Sequence, residues 1–241
     1  MKNFGVYEDI ASRTGGEIYI GVVGPVRTGK STFIKKFMQE LVLPQVAGAK
    51  RKRYTDELPQ SASGRTVMTT EPKFVPEEGA EIRVKEAVAR VRLIDCVGFP
   101  VEGASGFEEE GAPRLVKTPW SETPVPFQQA AEEGTRRVIR DHATIGVLMT
   151  TDGSIADIPR IAYEPAEERA VEELKEIGKP YVIVLNCRAP AAAEELRAAL
   201  EEKYGAPVLA LNAEETDAKA LAIVLERVLY EFPVMPVDID L

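Results

Sequence analysis

The chain has 241 residues, of which 44% are hydrophobic and 29% are charged, and it carries a formal net charge of −9. This composition fits a globular protein with one large α/β domain, and the acidic balance disfavours general affinity for nucleic acid, because a phosphate backbone is bound by clustered Lys and Arg. Two cysteines are too few for a disulfide framework. With no signal peptide and no apolar run of about 20 residues, we expect a cytoplasmic protein that touches membranes only at their surface.

Strand-like and helix-like segments alternate along the chain. Short apolar runs typical of buried strands occur at 17–24, 71–76, 88–95, 144–150, 181–186 and 207–211. Apolar residues at helical spacing occur at 30–42, 127–141, 165–177, 191–203 and 215–230. This alternation predicts an α/β fold, a three-layer sandwich in which helices cover both faces of a mostly parallel sheet.

Three segments do not fit the alternation. The polar stretch 45–70 is predicted to be a long loop, Gly79 to mark a turn between two strands, and the stretch 99–126, rich in Gly, Pro and Glu, to be an irregular insertion. The last ten residues, 232–241, contain two prolines and no helix signal. We therefore predict one domain over 1–231, followed by a linker or the start of a further domain.

A phosphate-binding pattern lies between the first strand and the first helix. It comprises Gly24, Pro25, Val26, Arg27, Thr28, Gly29, Lys30, Ser31 and Thr32. The spacing G-x-x-x-x-G-K-[ST] lets backbone N–H groups converge on phosphate oxygens at a helix N-terminus. Lys30 is expected to reach the β- and γ-phosphates, and the Ser31 hydroxyl to coordinate Mg²⁺. The pattern therefore predicts a P-loop nucleoside-triphosphatase in which these residues bind the nucleotide.

A candidate second acid ends the strand at 88–95. Asp95 stands where a P-loop protein needs a carboxylate for Mg²⁺; a turn or helix-capping role is the alternative. Gly98 completes a D-x-x-G pattern, in which the glycine N–H contacts the γ-phosphate. Many GTPases follow this glycine with a Gln that orients water, but here Phe99 follows. We therefore expect slow hydrolysis or hydrolysis triggered by assembly, with water positioned by backbone or Thr groups, by Arg27, or by another subunit.

The stretch 45–70 contains two further candidates. Thr70 or Thr69 is predicted to bind Mg²⁺ and to sense the γ-phosphate, with entry into a strand as the alternative interpretation. The basic run 50–53 is either a solvated segment or a contact with nucleotide, with an anionic surface, or with the acidic run 108–110 of a neighbour.

The residues expected to read the base depart from the GTPase pattern N-K-x-D. The stretch after the strand at 181–186 reads Asn186, Cys187, Arg188 and Ala189, so the Lys and the guanine-reading Asp are both absent. We therefore favour ATP, or loose base specificity, with Asn186 still at the nucleotide. Arg27 either supplies a positive charge at the phosphates, as a cis arginine finger or in place of a potassium ion, or points into solvent.

Long literal stretches resemble one known family, the stage IV sporulation protein A family. They are 21–38 (GVVGPVRTGKSTFIKKFM), 56–61 (DELPQS), 68–76 (MTTEPKFVP), 118–120 (TPW), 167–169 (EER) and 229–234 (LYEFPV). The resemblance implies a Mg²⁺-dependent ATPase, similar to translation-factor-like GTPases, that polymerises into the basement layer of the spore coat on the forespore surface in the mother-cell cytoplasm. It also implies that Lys30, Asp95 and the pair Thr69–Thr70 are the phosphate-loop, Mg²⁺-acid and sensor positions. Contacts with other coat proteins and with a small amphipathic membrane peptide would involve further C-terminal domains.

Three other functions compete with an assembly ATPase. A regulatory GTPase acting on the ribosome or RNA is disfavoured by the missing N-K-x-D and by the acidic charge. A small-molecule kinase needs an arginine-bearing lid, and the insertion offers only Arg114 and Lys117 as basic residues. A nucleotide-binding module without turnover would not need Asp95 and the threonine pair.

Overall fold

A six-stranded sheet forms the centre of the computed structural model, which describes residues 17–59, 71–84, 87–109 and 111–231. Its strands are β1 (Glu17–Val23), β2 (Lys73–Val84), β3 (Ala87–Asp95), β8 (Ile145–Thr151), β9 (Tyr181–Asn186) and β10 (Val208–Leu211). Between β3 and β8, two short hairpins comprise β4 (Glu108–Glu109), β5 (Ala112–Pro113), β6 (Leu115–Thr118) and β7 (Ser121–Pro126). All six strands of the central sheet overlap the strands predicted from apolar runs.

Helices connect these strands. They are α1 (Lys30–Phe37), α2 (Gly48–Asp56), α3 (Phe127–Arg137), α4 (Arg160–Glu176), α5 (Glu194–Tyr204) and α6 (Ala218–Tyr230). α1 continues through a π-helical turn (Met38–Val42) and a 3-10 turn (Leu43–Gln45), and α3 continues through a π-helical turn (Val138–His142). No helix in the described ranges is long and apolar enough to cross a bilayer.

The order of the strands confirms the predicted fold. The sheet runs β10-β9-β8-β1-β3-β2, with β2 antiparallel to β3 and every other neighbouring pair parallel. From β1 the chain first builds the β3 side of the sheet and then crosses to the β8 side. The order therefore reverses at β1, and in such sheets ligands bind at the carboxyl ends of the strands around that point.

Two cores lie on opposite faces of the sheet, because side chains alternate along each strand. In β1, Ile18, Ile20 and Val22 belong to the core that includes Phe33 of α1 and Leu221 of α6. Val23 belongs to the second core, which includes residues of α4 and α5. The three-layer sandwich predicted from the sequence is thus the observed architecture.

The predicted loop at 45–70 is wrong in its first part, because α2 occupies 48–56. This helix has no apolar stripe for periodicity to detect: only Tyr54 is buried, and its hydroxyl donates to the Gly79 carbonyl at 2.7 Å. The turn predicted at Gly79 is also wrong. β2 runs through Gly79, whose φ of 74° lies within a register shift between Val75 and Ala80.

Two other boundaries differ from the sequence prediction. The insertion 99–126 is not wholly irregular, since it contains the two hairpins β4–β5 and β6–β7. Helix α4 begins at Arg160, five residues before the predicted start at Pro165. Pro165 has no N–H to donate to the carbonyl four residues earlier, that of Ile161. Ile161 is 72% exposed, so water can serve that carbonyl and the helix continues.

Candidate functional site

The loop between β1 and α1 has a conformation that requires glycine at two positions. Gly24 has φ of 124° and Gly29 of 88°. A Cβ at Gly24 would lie 2.3 Å from the Met149 carbonyl oxygen, and a Cβ at Gly29 would lie 2.3 Å from Nδ2 of Asn186. Arg27 also has a positive φ, 63°, which is uncommon for a residue with a side chain. The ends of strands β8 and β9 thus restrict the conformation of the phosphate loop through Met149 and Asn186.

Asn186 positions the loop through both ends of its amide. Its Nδ2 donates to the Thr28 carbonyl at 3.0 Å, and its Oδ1 accepts from the Ala213 N–H at 2.9 Å. The Thr28 hydroxyl in turn donates to the Pro25 carbonyl at 2.9 Å. Asn186 and Thr28 are both buried, so Asn186, which the sequence placed at the nucleotide, shapes the loop that is predicted to bind the phosphates.

Lys30 is a cation buried inside this loop. The residue is 5% exposed, and its Nζ donates to the carbonyls of Pro25 at 2.6 Å and Gly24 at 3.4 Å. Burial lowers the pKa of Lys30, while its electrostatic interactions with Cys96 and Asp95 oppose that shift. Among the described residues Lys30 belongs to no salt bridge, and a buried ammonium without a counter-ion is an unfavourable state that a bound anion relieves.

Ser31 and Asp95 form a pair suited to Mg²⁺. The Ser31 hydroxyl donates to Oδ2 of Asp95 at 2.8 Å, and Oδ1 of Asp95 is buried without a partner among the described residues. Burial raises the pKa of Asp95, and the hydrogen bond from Ser31 and the charge of Lys30 oppose that shift. Mg²⁺ binds oxygen ligands, one or two of them carboxylates, together with substrate phosphates, so a hydroxyl beside an unpartnered carboxylate oxygen fits this ion.

Gly98 lies directly against the end of Lys30. A Cβ at Gly98 would be 2.4 Å from Nζ of Lys30 and 2.5 Å from the Gly24 carbonyl oxygen, so only glycine fits. The Gly98 N–H donates to the hydroxyl of Thr135 at 3.1 Å. The next residue, Phe99, is buried, and its N–H donates to the Gly24 carbonyl at 3.0 Å. The segment after β3 is therefore attached to the phosphate loop.

Thr135 is a functional candidate that sequence analysis missed. It lies on α3 eight residues after Phe127 and four after Ala131, on the stripe of α3 that faces the core. A polar residue within a buried stripe is unusual, and that position is the signal in the sequence. Its contact with Gly98 depends on the tertiary structure, which spacing alone does not give.

Arg27 contacts the insertion. Its side chain is half-buried, and Nη2 donates to the hydroxyl of Ser105 at 3.1 Å. Arg169 of α4 contacts the residue after Gly98: its guanidinium carbon lies 5.5 Å from the centre of the Phe99 ring, and Arg169 pairs with Glu132 at 2.9 Å. The insertion and α4 thus both touch residues of the phosphate site.

For the remaining residues predicted from the sequence, the structure gives few or no contacts. Thr69 and Thr70 lie outside the described residues, and Thr32 is half-buried in the first turn of α1. In the basic run, the guanidinium of Arg53 donates to Glu78. The phosphate-loop residues 24–32, together with Asp95, Gly98 and Asn186, come together at one edge of the sheet.

The region expected to face the base carries no carboxylate at the guanine-reading position. That position is Ala189, which is exposed in the loop after β9. Arg188 is held by its N–H, which donates to the Ser154 hydroxyl at 2.9 Å. Cys187 is buried, and burial raises the pKa of its thiol to about 11. These residues offer no counterpart of the guanine-specific hydrogen bonds.

Comparison with known proteins gives a consistent result over the whole chain. Residues 1–233 match the family described as Stage IV sporulation protein A, ATPase domain. The proteins named Stage IV sporulation protein A from Bacillus subtilis (strain 168) and Bacillus anthracis are 54% and 53% identical over 245 residues, and that from Clostridioides difficile (strain 630) is 53% identical over 243 residues. These alignments cover 99–100% of this chain and 50% of each relative, so the chain spans about half the length of the curated relatives it matches.

One solved structure with a related shape is the cytosolic domain of the T. maritima FeoB iron transporter in its GMPPNP form. It is 12% identical, with a TM-score of 0.43, over 92% of this chain and 66% of that chain. At that level of similarity the fold assignment depends on the strand order and on the phosphate loop rather than on this neighbour.

Proposed function

This chain belongs to the ATPase-domain family of stage IV sporulation protein A, and we propose that it binds ATP with Mg²⁺ and hydrolyses it to ADP and phosphate. The observation that carries the proposal is the buried ammonium of Lys30 at the start of α1, with the Ser31–Asp95 pair on the same loop and the neighbouring strand. Convergent backbone N–H groups, a lysine and a Mg²⁺ pair are the components of phosphoryl transfer in P-loop proteins.

The roles of the residues follow from their positions. Lys30 and the backbone of the phosphate loop hold the β- and γ-phosphates, and Gly98 provides an N–H at the γ-phosphate. Ser31 and Asp95 would hold Mg²⁺, which when bound neutralises phosphate charge. Water attacks the γ-phosphorus, and the bond to the β-phosphate oxygen breaks to release ADP. Phe99 cannot orient that water, so the candidates remain Thr69, Thr70, Arg27 or a group from another copy.

Adenine is favoured over guanine because Ala189 stands at the guanine-reading position. A buried carboxylate that pairs with the guanine edge discriminates strongly in favour of guanine, and a site without that carboxylate lacks this discrimination. A GTPase with a regulatory or ribosome-associated role is the second candidate. It is supported by the D-x-x-G pattern of Asp95 and Gly98, and not by the base-reading residues.

Family membership also supports a purpose for the reaction. We infer that ATP turnover drives self-association into the basement layer of the spore coat at the forespore surface, in the mother-cell cytoplasm. Other spore coat proteins and a small amphipathic membrane peptide are the further partners that the family resemblance implies, through parts of the relatives that this chain does not span. No nucleic-acid partner is proposed, because the chain has a net charge of −9.

Phosphate release without any added acceptor tests the proposed reaction. We expect the chain to release phosphate from ATP in the presence of Mg²⁺ and to prefer ATP to GTP in competition. Asp95→Asn should lower turnover by about a hundredfold, since Mg²⁺ loses its carboxylate ligand. Exclusive use of GTP would support the regulatory GTPase instead, and no release from either nucleotide would contradict both candidates.

A further inference from the structure

A bound nucleotide would need one donor that is already fully used by the protein itself. Nζ of Lys30 donates to Pro25 and Gly24, so one of its three N–H groups remains for a phosphate oxygen. The Ser31 hydroxyl donates to Asp95 and keeps its lone pairs for Mg²⁺. The single N–H of Gly98 donates to the hydroxyl of Thr135, so a γ-phosphate that binds this N–H must displace Thr135, and ADP brings no such group.

Gly98 lies beside the place that a γ-phosphate held by Lys30 would occupy. The 2.4 Å between Nζ of Lys30 and a Cβ built on Gly98 places the glycine backbone against the ammonium group. A phosphate oxygen bound to that ammonium is thus within reach of the neighbouring backbone. Its φ of 103° is open only to glycine, so the chain keeps a residue here that lets the backbone approach the phosphate.

Thr135 is fixed as an acceptor for the Gly98 N–H. Its hydroxyl hydrogen is used, because Oγ1 donates to the Ala131 carbonyl at 2.7 Å. Only the lone pairs of the hydroxyl remain for Gly98, at 3.1 Å. Thr135 is 0% exposed, so solvent does not reach its hydroxyl. If the Gly98 N–H leaves Thr135, it therefore needs another acceptor, such as a phosphate oxygen.

We propose that Thr135 is a positioning residue that competes with the γ-phosphate for the Gly98 N–H and so sets how strongly the site distinguishes ATP from ADP. This inference deepens the proposed function and depends on it. When ATP binds, the hydrogen bond of Gly98 passes from Thr135 to a γ-phosphate oxygen. When ADP binds, no such acceptor is present and the bond to Thr135 persists. Thr135 touches neither substrate nor metal, and it acts through Gly98.

The residue after Gly98 connects this change of hydrogen-bond partner to the phosphate loop and to helices α3 and α4. Phe99 follows Gly98 and exchanges backbone hydrogen bonds with the phosphate loop: its N–H donates to Gly24, and its carbonyl accepts from Val26 at 2.9 Å. Its ring lies under Arg169 of α4, which pairs with Glu132 of α3. Movement of Gly98 away from Thr135 would therefore change contacts on α3 and α4, two of the helices that cover this face of the sheet.

The variant Thr135→Val tests the proposal, because valine keeps the shape and removes the acceptor. Its dissociation constants for ADP and for a non-hydrolysable ATP analogue are measured with Mg²⁺ by calorimetry. In this variant the Gly98 N–H loses its Thr135 acceptor without nucleotide and with ADP, whereas with the ATP analogue it donates to the γ-phosphate. The preference for the analogue over ADP should therefore rise by about tenfold. Thr135→Ser retains the hydroxyl and should keep the wild-type ratio.

A matched control separates this effect from general loosening. Thr118→Val removes another buried hydroxyl, one without a partner among the described residues and located in β6, and should leave the ratio unchanged. An unchanged ratio in a folded Thr135→Val protein overturns the inference while ATP binding by the wild type upholds the proposed function. A wild type that binds no triphosphate overturns both.

A measurement on the wild type does not depend on whether the valine variant folds. The protein is labelled with ¹⁵N-glycine, and the amide resonance of Gly98 is assigned by comparison with a Gly98→Ala spectrum or by sequential assignment. This resonance should shift when the ATP analogue is added. With ADP it should stay near its position in the free protein. Equal shifts with both nucleotides would contradict a contact that only the γ-phosphate makes.

Discussion

Burial makes a few side chains of this site sensitive to what occupies it. The amino group of Lys30 and the carboxyl group of Asp95 are both desolvated. Burial therefore lowers the pKa of Lys30 and raises the pKa of Asp95, which disfavours the charged form of each group. Neither group is in a salt bridge among the described residues, and a Mg²⁺–triphosphate unit would favour the charged form of each. The same residues thus lower the stability of the empty site and raise its affinity for ligand.

Replacing Ser31 by alanine tests the Mg²⁺ pair. The change removes the hydroxyl ligand and leaves Oδ2 of Asp95 without its 2.8 Å partner. We expect the Mg²⁺ concentration for half-maximal ATP binding to rise by about tenfold or more, measured by titrating Mg²⁺ at fixed nucleotide. Ser121→Ala, which removes an exposed hydroxyl in β7, is the control, and equal behaviour of the two variants would exclude Ser31 as a ligand.

Base selection is tested by restoring one carboxylate. Ala189→Asp introduces an acceptor at the guanine-reading position after β9, so GTP affinity relative to ATP should rise by about tenfold. Ala192→Asp adds the same charge at a nearby exposed position and controls for electrostatics. Competition between labelled ATP and unlabelled GTP measures the ratio, and a similar change in both variants would argue against base recognition at position 189.

At the scale of elements, one buried carboxylate joins a strand and two helices. Glu167 of α4 is 0% exposed and accepts from Nη2 of Arg160 at 2.8 Å, from the Tyr204 hydroxyl of α5 at 2.6 Å, and from the Thr150 hydroxyl of β8. Burial and this hydrogen bond raise the pKa of Tyr204. Thr150 precedes the loop that leads to Ser154, so the network also supports the region expected to face the base.

Two neighbouring glutamates of α4 allow a matched test of this network. Glu167→Gln leaves Arg160 with no carboxylate partner in a buried place and should lower the free energy of unfolding by about 3 kcal/mol. Glu168→Gln breaks a pair with Lys203 whose side chains are 49% and 42% exposed, and should cost at most about 1 kcal/mol. Urea denaturation measures both, and equal losses would refute the structural role of Glu167.

At the scale of the whole molecule, the sequence predicted what depends on periodicity and motif. The sequence predicts the strands, the parallel sheet, the phosphate loop and the position of Asp95 at a strand end, because each follows from local spacing. Helix α2 was missed because only Tyr54 anchors it, and the hairpins of the insertion because their strands are short and mostly exposed. Thr135 and the Glu167 network required the fold, since Thr135 contacts Gly98 and Glu167 contacts Tyr204, each across 37 positions of the chain.

Buried thiol chemistry reports on the stability of the whole fold. Burial raises the pKa of Cys187 to about 11, so at pH 8 the thiol is protonated as well as inaccessible. We expect iodoacetamide to label Cys187 only when the protein unfolds, and Mg²⁺ with ATP to slow labelling further because ligand binding stabilises the native state. Mass spectrometry of the peptide follows the rate. Rapid labelling at pH 8 that nucleotide does not change would contradict the buried position.

Equilibrium titration of the chain with ATP, with and without Mg²⁺, tests the central claim most directly. The account predicts saturable, Mg²⁺-dependent binding. The Lys30→Ala variant should lose this binding, and the Lys35→Ala variant, which changes a half-buried lysine five residues further along α1, should retain it. Unaltered ATP binding by the Lys30→Ala protein, or no binding of any triphosphate by the wild type, would contradict it.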